Sequence, residues 1–167
     1  MRKNWNNQNL PDITVAATAC FYKTFTAPNP DFKLKIFNAA GDQVGTSSYC
    51  VSPLVDRVYL FEIEIFTEYR RQGYGTALLR YLAKAHGQPI TAVKELFSAN
   101  DFWTATRRLN GSGVVVTNPL SVGDMPAEAS RWEHLRPDIE RLEKRIEERL
   151  GNQEPWHVAV GRGLDLK

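Results

Sequence analysis

Two sets of residues in this chain have the types and spacing to do chemistry, and they are neighbours. Arg70-Arg71-Gln72-Gly73-Tyr74-Gly75 places two guanidinium groups and two glycines in one short loop. Glu62 and Glu64 stand two apart in the segment just before it. Arginines offer paired donors to an anion. A helix that opens at such a loop turns its free first amides and the positive end of its dipole to the same place, and glycine lets a phosphate approach the backbone. These residue types suit a pyrophosphate. Two carboxylates on one strand face raise each other's pKa, which suits a general base.

The elements that must position these groups are legible on either side. Val58 to Phe66 is apolar and β-prone, interrupted only by Glu62 and Glu64, and reads as a strand. Period-2 alternation predicts Tyr59, Phe61, Ile63 and Ile65 on one face, with Leu60, Glu62, Glu64 and Phe66 on the other. The apolar set is expected to meet the helix after the loop. That helix places Leu78, Tyr81, Leu82 and Ala85 on one face and stops at Gly87, with Pro89 beyond. Spacing alone also admits a plain strand-to-helix turn with a solvated arginine pair, and a solvated carboxylate face. The chain has no G-x-x-x-x-G-K-[ST] and no G-x-G-x-x-G, so neither a P-loop nor a dinucleotide-binding turn is present.

Further along, Ile90 to Glu95 reads as a second strand. Ser98 to Asp101 reads as a capping box, opening a helix from about Ala99 to Leu109 that ends at Gly111. Arg70 to Gly75, read as R-x-x-G-x-G, followed by a strand and then Ala99-Asn-Asp-Phe102-Trp103, resembles the acyl-CoA signature of the GCN5-related N-acetyltransferase (GNAT) family. That family has A-x-x-F-Y at the latter position. The resemblance covers residues 58–109 well and the flanks only loosely.

It implies an α/β fold with a mixed, mostly antiparallel central sheet, an acyl-CoA-binding strand, loop and helix, and here an added C-terminal helix. It implies that the pyrophosphate of acetyl-CoA lies on the amides of Gln72, Gly73, Tyr74, Gly75 and Thr76, beside Arg70 and Arg71. The pantetheine arm would follow the main chain of Ile63, Ile65 and Phe66, with Phe102 and Trp103 also at the cofactor. A strand amide would stabilise the oxyanion as an amine attacks the thioester directly. Glu64 is the first choice of base and Glu62 the second. The family often protonates the leaving thiolate from a tyrosine. The matching residue here is Trp103, which leaves Tyr69, Tyr74 or water. The family also inserts two helices between its first strands, forming one wall of the acceptor pocket. Thr26 to Phe32, with Pro28 and Pro30, is too short for them.

The remaining sequence bounds the reading. A chain of 167 residues, 43% hydrophobic and 24% charged, suits one soluble domain with an appendage. A net charge of +2 does not by itself argue for nucleic acid. No apolar run approaches a membrane span and Met1–Asp12 is polar, which reads as cytoplasmic with no membrane partner. Cys20 and Cys50 are isolated and read as reduced, and the scattered histidines match no metal-binding spacing.

Strands are expected at Ile13–Phe25, Lys33–Phe37 and Gln43–Val51, the last two joined by a turn at Asn38–Asp42. A further strand is expected at Val114–Thr117 and a short one at Trp156–Val160. The expected divisions are a tail at 1–12, an acetyltransferase-like domain at 13–118, a linker at 119–127, a helical segment at 128–150 and a tail at 151–167. Ile139, Leu142, Ile146 and Leu150 form a stripe on the charged helix from Pro137 to Leu150. A partner is expected for that stripe, either the bare sheet face or the same helix of a second subunit, with a homodimer slightly favoured.

The leading function is an acetyl-CoA-dependent N-acyltransferase. The alternatives are a catalytically weak acyl-CoA-binding and protein-interaction module, and an acyltransferase acting on a nucleic-acid-associated acceptor through its arginines.

Overall fold

The computed structural model describes residues 9–93, 100–108 and 113–164. Its centre is a sheet in the order β1-β2-β3-β4-β5, formed by β1 (Thr14–Cys20), β2 (Asp31–Phe37), β3 (Gln43–Val51), β4 (Val58–Ile65) and β5 (Ile90–Ala92). The first four strands pair antiparallel and β5 joins β4 in parallel, the mixed, mostly antiparallel sheet expected. A parallel pair needs a crossover, and α1 (Tyr74–His86) supplies it. The expected β2–β3 hairpin is present: Asn38 and Asp42 close its turn through Asn38 N–H to Asp42 O (2.9 Å) and Asp42 N–H to Asn38 Oδ1 (2.9 Å). Residues 21–30 form turns and no helix, so the family's helix pair is absent.

Helix α1 ends at Gly87, whose φ of 65° lies in the left-handed region and whose N–H bonds Ala83 O. Its buried residues are Tyr74, Thr76, Ala77, Leu78, Leu79, Leu82 and Ala83. The expected stripe is corrected here, because Tyr81 is 39% exposed and Ala85 is exposed. This face packs on Leu34, Ile36, Val44, Tyr49, Val58 and Leu60 as the main core.

The alternation expected along β4 is also corrected. Tyr49 of β3 pairs with Leu60 but the next residue back, Ser48, pairs with Glu62. Phe61 is thus the extra residue of a β-bulge. Before it Val58 and Leu60 face α1, and after it Ile63 and Ile65 do. Tyr59 and Phe61 instead join Trp132 on the opposite face. A strict period of two cannot anticipate this switch of phase.

Beyond β5, α2 (Asn100–Arg107) is followed by a segment that runs parallel to β5 through single bridges, Ile90 to Val116 and Val93 to Leu120, rather than as the strand expected at 114–117. The stretch read as a linker holds a 3-10 turn at Val122–Asp124, capped by Ser121, and α3 (Met125–Ala129). A 3-10 segment at Ser130–Leu135 leads into α4 (Arg136–Gly151). Trp156–Ala159 is a helical turn, α5, where a short strand was expected.

The α4 stripe has its partner within the chain. Leu142 and Ile146 are buried with Val160, against Cys20, Phe21, Leu150 and Leu164, so the packing that suggested a second subunit is met in cis. Buried Arg149 fastens the turn after α5, donating to the carbonyls of Ala159, Arg162 and Gly163. On the outer side Arg141 pairs with Asp138 and Arg145 with Glu148, while Arg136 pairs with Glu133 just before the helix. Cys20 and Cys50 are free thiols. No helix among the described residues is long and apolar enough to cross a membrane. The first eight residues, Lys94 and Glu95 of the expected strand, Ser98 and Ala99 of the expected capping box, and the expected helix end at Leu109–Gly111 lie outside the described residues.

Candidate functional site

Strand β4 delivers its two carboxylates just past the residues that pair with β5. β5 pairs only with Val58, Tyr59 and Leu60. From Phe61 to Ile65 the β5-side edge of β4 has no strand partner among the described residues. A released strand edge presents main-chain donors and acceptors to an extended ligand. On its other side β4 is held tightly by β3. Ser47 donates its hydroxyl to Glu62 O at 2.6 Å. Gly45 runs so close to the Glu64 carbonyl that a Cβ there would lie 2.2 Å from it. Gly45 and Ser47 were not foreseen as site residues, although a glycine inside a strand is the signal for such a close approach.

A short 3-10 turn at Thr67–Tyr69 carries the chain from β4 into the basic loop. Arg71 takes φ of 63° and Gly73 of 92°, and Gly73 is the N-cap of α1. This left-handed turn lets the loop fold back onto the helix end. No side chain caps α1, and Ala77 N–H to Gly73 O (2.9 Å) is its first internal bond. The amides of Tyr74, Gly75 and Thr76 therefore have no partner in the helix. The Phe102 ring lies over Gly75, 3.0 Å from where a Cβ would sit, and Pro11 and Leu10 lie against Gly73.

The loop arginines divide their work. Arg70 Nε donates to Ile65 O at 2.8 Å, tying the loop to the end of β4. Gln72 Nε2 holds the loop in the same way, through Glu68 O at 3.1 Å. Arg71 makes no hydrogen bond or ion pair among the described residues and is exposed, so it is the loop's uncommitted cation.

Of the other expected residues, Glu62 and Glu64 are exposed side by side on the face opposite α1, and Ile63 and Ile65 are half-buried against the core. Phe66 begins the turn, its N–H bonded to Val44 O. Phe102 reaches the loop, but Trp103 is only 4% exposed inside the core. Tyr74 is buried in that core too, and Tyr69 packs on it edge to face, with ring centroids 6.2 Å apart.

The face opposite α1 holds a further group that sequence reasoning did not single out. Trp132 sits at a kink in the 3-10 segment (φ −118°, ψ 27°). It packs with Phe25, Tyr59 and Phe61, with ring centroids 5.3 Å from Phe25 and 6.2 Å from Tyr59. Below it the Tyr59 hydroxyl donates to Glu128, which also receives Arg131 at 2.6 Å and lies 3.5 Å from Arg57. Arg131 bonds Asp56 as well. Burial pushes the Tyr59 phenol well up. Burial also acts to raise the Glu128 carboxyl, but the hydrogen bonds from Tyr59 and Arg131 and the neighbouring positive charges outweigh it and hold the group below its usual range. The C-terminal segment thus covers the first half of this face, at Tyr59 and Phe61, and stops short of Glu62 and Glu64.

Three solved structures are similar to parts of this chain. Among solved structures, an archaeal protein from Pyrococcus furiosus provisionally described as an acetyl transferase is 24% identical, with a TM-score of 0.36 over 45% of this chain and 56% of that one. This chain therefore spans little more than half the length of that protein. An acetyltransferase, also provisional, from Deinococcus radiodurans R1 is 14% identical, with a TM-score of 0.39 over 59% of this chain and 83% of the other. Nourseothricin acetyltransferase is 17% identical, with a TM-score of 0.38 over 62% and 74%. No curated protein matches the chain significantly. The acetyltransferase (GNAT) family matches residues 4–104, more than half of the chain. That match takes in every strand of the sheet, the basic loop, α1 and the start of α2, and the chain belongs to the acetyltransferase (GNAT) family.

Proposed function

We propose that this acetyltransferase carries an acetyl group from acetyl-CoA to an amine by direct attack in a ternary complex. The observation that carries the reading is the conjunction of the uncapped α1 N-terminus with a β4 edge that has no strand partner past Leu60 among the described residues, joined through Arg70. The residues present fit the cosubstrate. The free amides at Tyr74, Gly75 and Thr76, with Arg71 beside them, would hold the pyrophosphate. The main chain of Ile63 and Ile65, with Arg70 on the Ile65 carbonyl and Phe66 tied to Val44 at the end of the strand, would take the pantetheine arm, and Phe102 would pack at the loop. Acetyl-CoA supplies an activated thioester.

The chain's own residues do the rest. An alkyl ammonium, with an ordinary pKa of about 10.4, must lose a proton before it attacks. Glu64 accepts it, with Glu62 as the second candidate, and both lie on the acceptor side of β4. A β4 amide at the bulge would donate to the developing oxyanion. The segment carrying Trp132 replaces the absent helix pair as the acceptor wall. Buried Trp103 has no hydroxyl to protonate the leaving thiolate and Tyr74 is enclosed, so that proton comes from Tyr69 or water. The same burial favours the second reading, an acyl-CoA-binding module with little turnover.

Thiol release from acetyl-CoA across a panel of amines and peptides tests both. Wild type should release thiol, and Glu64→Gln should lower turnover by roughly 10²–10⁴-fold. Acetyl-CoA at about a hundred times its Kd should add ~2.7 kcal/mol of stability in either protein. Gly75→Asp, which places bulk and negative charge where phosphate belongs, should abolish that gain. Stabilisation without thiol release would leave the binding module, and an unmoved melting temperature would remove both.

A further inference from the structure

The half of the sheet face that the C-terminal segment leaves bare has an ordered pattern of charge. Strand register aligns it in rows. Glu62 pairs with Ser48, which pairs with Lys33, which pairs with Thr18. Glu64 pairs with Thr46, then Lys35, then Ala16. Leu34 and Ile36 point into the α1 core, so Lys33 and Lys35 share the opposite face with both glutamates. All four charged residues are exposed, while Ser48 and Thr46 between them are half-buried. None of the four forms an ion pair or side-chain hydrogen bond among the described residues, although each row places a lysine and a glutamate on one line. Asp31, next along the same face of β2, has its carboxyl pKa raised by burial, partly opposed by Lys33.

Each row therefore reads carboxylate, hydroxyl, ammonium, and the doubled row gives the face a negative side at the acyl end of the site and a positive side two strands away. Two strand spacings are about 10 Å. A hydroxyl floor with small neighbours at Ala16 and Thr18 leaves room above it.

We propose that this bare half-face is the acceptor floor and takes a short peptide or peptide-like acceptor, with its free amine over Glu62 and Glu64 and its carboxylate over Lys33 and Lys35. This rests on the transferase reading above and adds the acceptor's chemistry to it. An extended tripeptide spans about 10 Å from amine to carboxylate, which matches the separation of the two sides. The acidic side draws in a cationic amine and the basic side fixes its distance. A simple alkyl amine would use only half of the floor.

The experiment compares trialanine with trialanine amide, and with alanine and pentaalanine, in steady-state acetyl transfer. Wild type should prefer trialanine to its amide by about tenfold in kcat/KM, the scale of two partly exposed charge contacts, with the difference in KM. Alanine should be too short to gain this and pentaalanine should lose part of it. Lys33→Ser with Lys35→Ser should erase the preference by raising KM for trialanine to that of the amide. Both positions are exposed, and an unchanged melting temperature, with acetyl-CoA still stabilising, verifies that the variant is folded. Equal kcat/KM for acid and amide in wild type overturns the inference while the transferase reading stands. Transfer to no peptide and no amine overturns both.

Discussion

The two faces of this sheet are built on different principles. The α1 face carries a continuous apolar cluster from Leu34 to Leu82. The opposite face is divided at the Phe61 bulge into an aromatic half under Trp132 and a polar half that carries Glu62, Glu64, Lys33 and Lys35. One face makes the fold and supports the basic loop at the start of α1. The other carries the exposed glutamates and lysines, and its aromatic half is covered from the far end of the chain. The bulge is the device that allows this division, because it re-aims β4 halfway along without breaking its pairing to β3. A flat strand with this sequence would place Tyr59 in the α1 core and Leu60 beside the glutamates.

The sharpest way to break the comparison is to remove one large side chain from each face. Trp132→Ala should cost about 3–5 kcal/mol and Leu79→Ala about 2–5 kcal/mol, since both sites are fully packed. Their consequences should differ. Leu79→Ala weakens the support of α1 and should reduce stabilisation by acetyl-CoA. Trp132→Ala should keep that stabilisation but lose acceptor turnover, and amide exchange should rise in α3 and α4 before α1. A loss below about 0.5 kcal/mol on Trp132→Ala, within the range of ordinary surface changes, would mean that the C-terminal cover is not coupled to the sheet.

What the sequence disclosed follows the same division. The strand, loop and α1 were legible because their signals are local: β-branched runs, glycines at required turns, a C-cap at Gly87, and the family motif that Arg70 to Gly75 carries. The hairpin at Asn38–Asp42 was legible for the same reason. The opposite face depends on contacts between residues far apart in the chain. Tyr59 meets Glu128, Phe25 meets Trp132, and Phe21 N–H bonds Val160 O, and no periodicity connects those segments. The α4 stripe was readable as apolar, but its partner was not, because Cys20 and Phe21 lie in one distant segment and Val160 in another. The charge rows needed strand register, which the isolated strands of a sequence do not declare.

A smaller effect sharpens the aromatic half alone. Tyr59→Phe removes one donor from Glu128 while keeping the ring against Phe25 and Trp132. A hydrogen bond to a charged acceptor contributes about 1.5–3 kcal/mol, and the lower end is expected because Arg131 remains on Glu128 at 2.6 Å. A double-mutant cycle with Glu128→Gln, read by urea unfolding, isolates the pair. A coupling energy indistinguishable from zero would show that aromatic packing alone holds the cover.

The smallest expected effect belongs to the apolar face, at its one titrating edge. His86 is the last residue of α1, and its Nε2 lies 3.1 Å from the Tyr49 hydroxyl. Burial pushes the Tyr49 phenol up to about 12, so at neutral pH it remains protonated and can donate to a neutral imidazole. Burial lowers the His86 pKa, although a helix C-terminus by itself favours the cation. A lowered folded-state value means that the unfolded chain binds the proton more readily, so stability rises with pH across the interval between the two. His86's contribution is therefore complete above the ordinary histidine pKa of about 6.5, and is lost as pH falls through that value towards the lowered one. Glu128 acts in the same direction but only nearer the ordinary carboxylate range, about 4.3, which separates the two on a pH axis. Unfolding free energies measured from pH 7.5 to 5.5 should decline for wild type and decline less for His86→Gln, whose amide can still meet Tyr49. Superimposed profiles for the two proteins would show that His86 takes its proton in the folded state as easily as in the unfolded chain, and that this edge of the α1 face is as open to water as the glutamate half of the other.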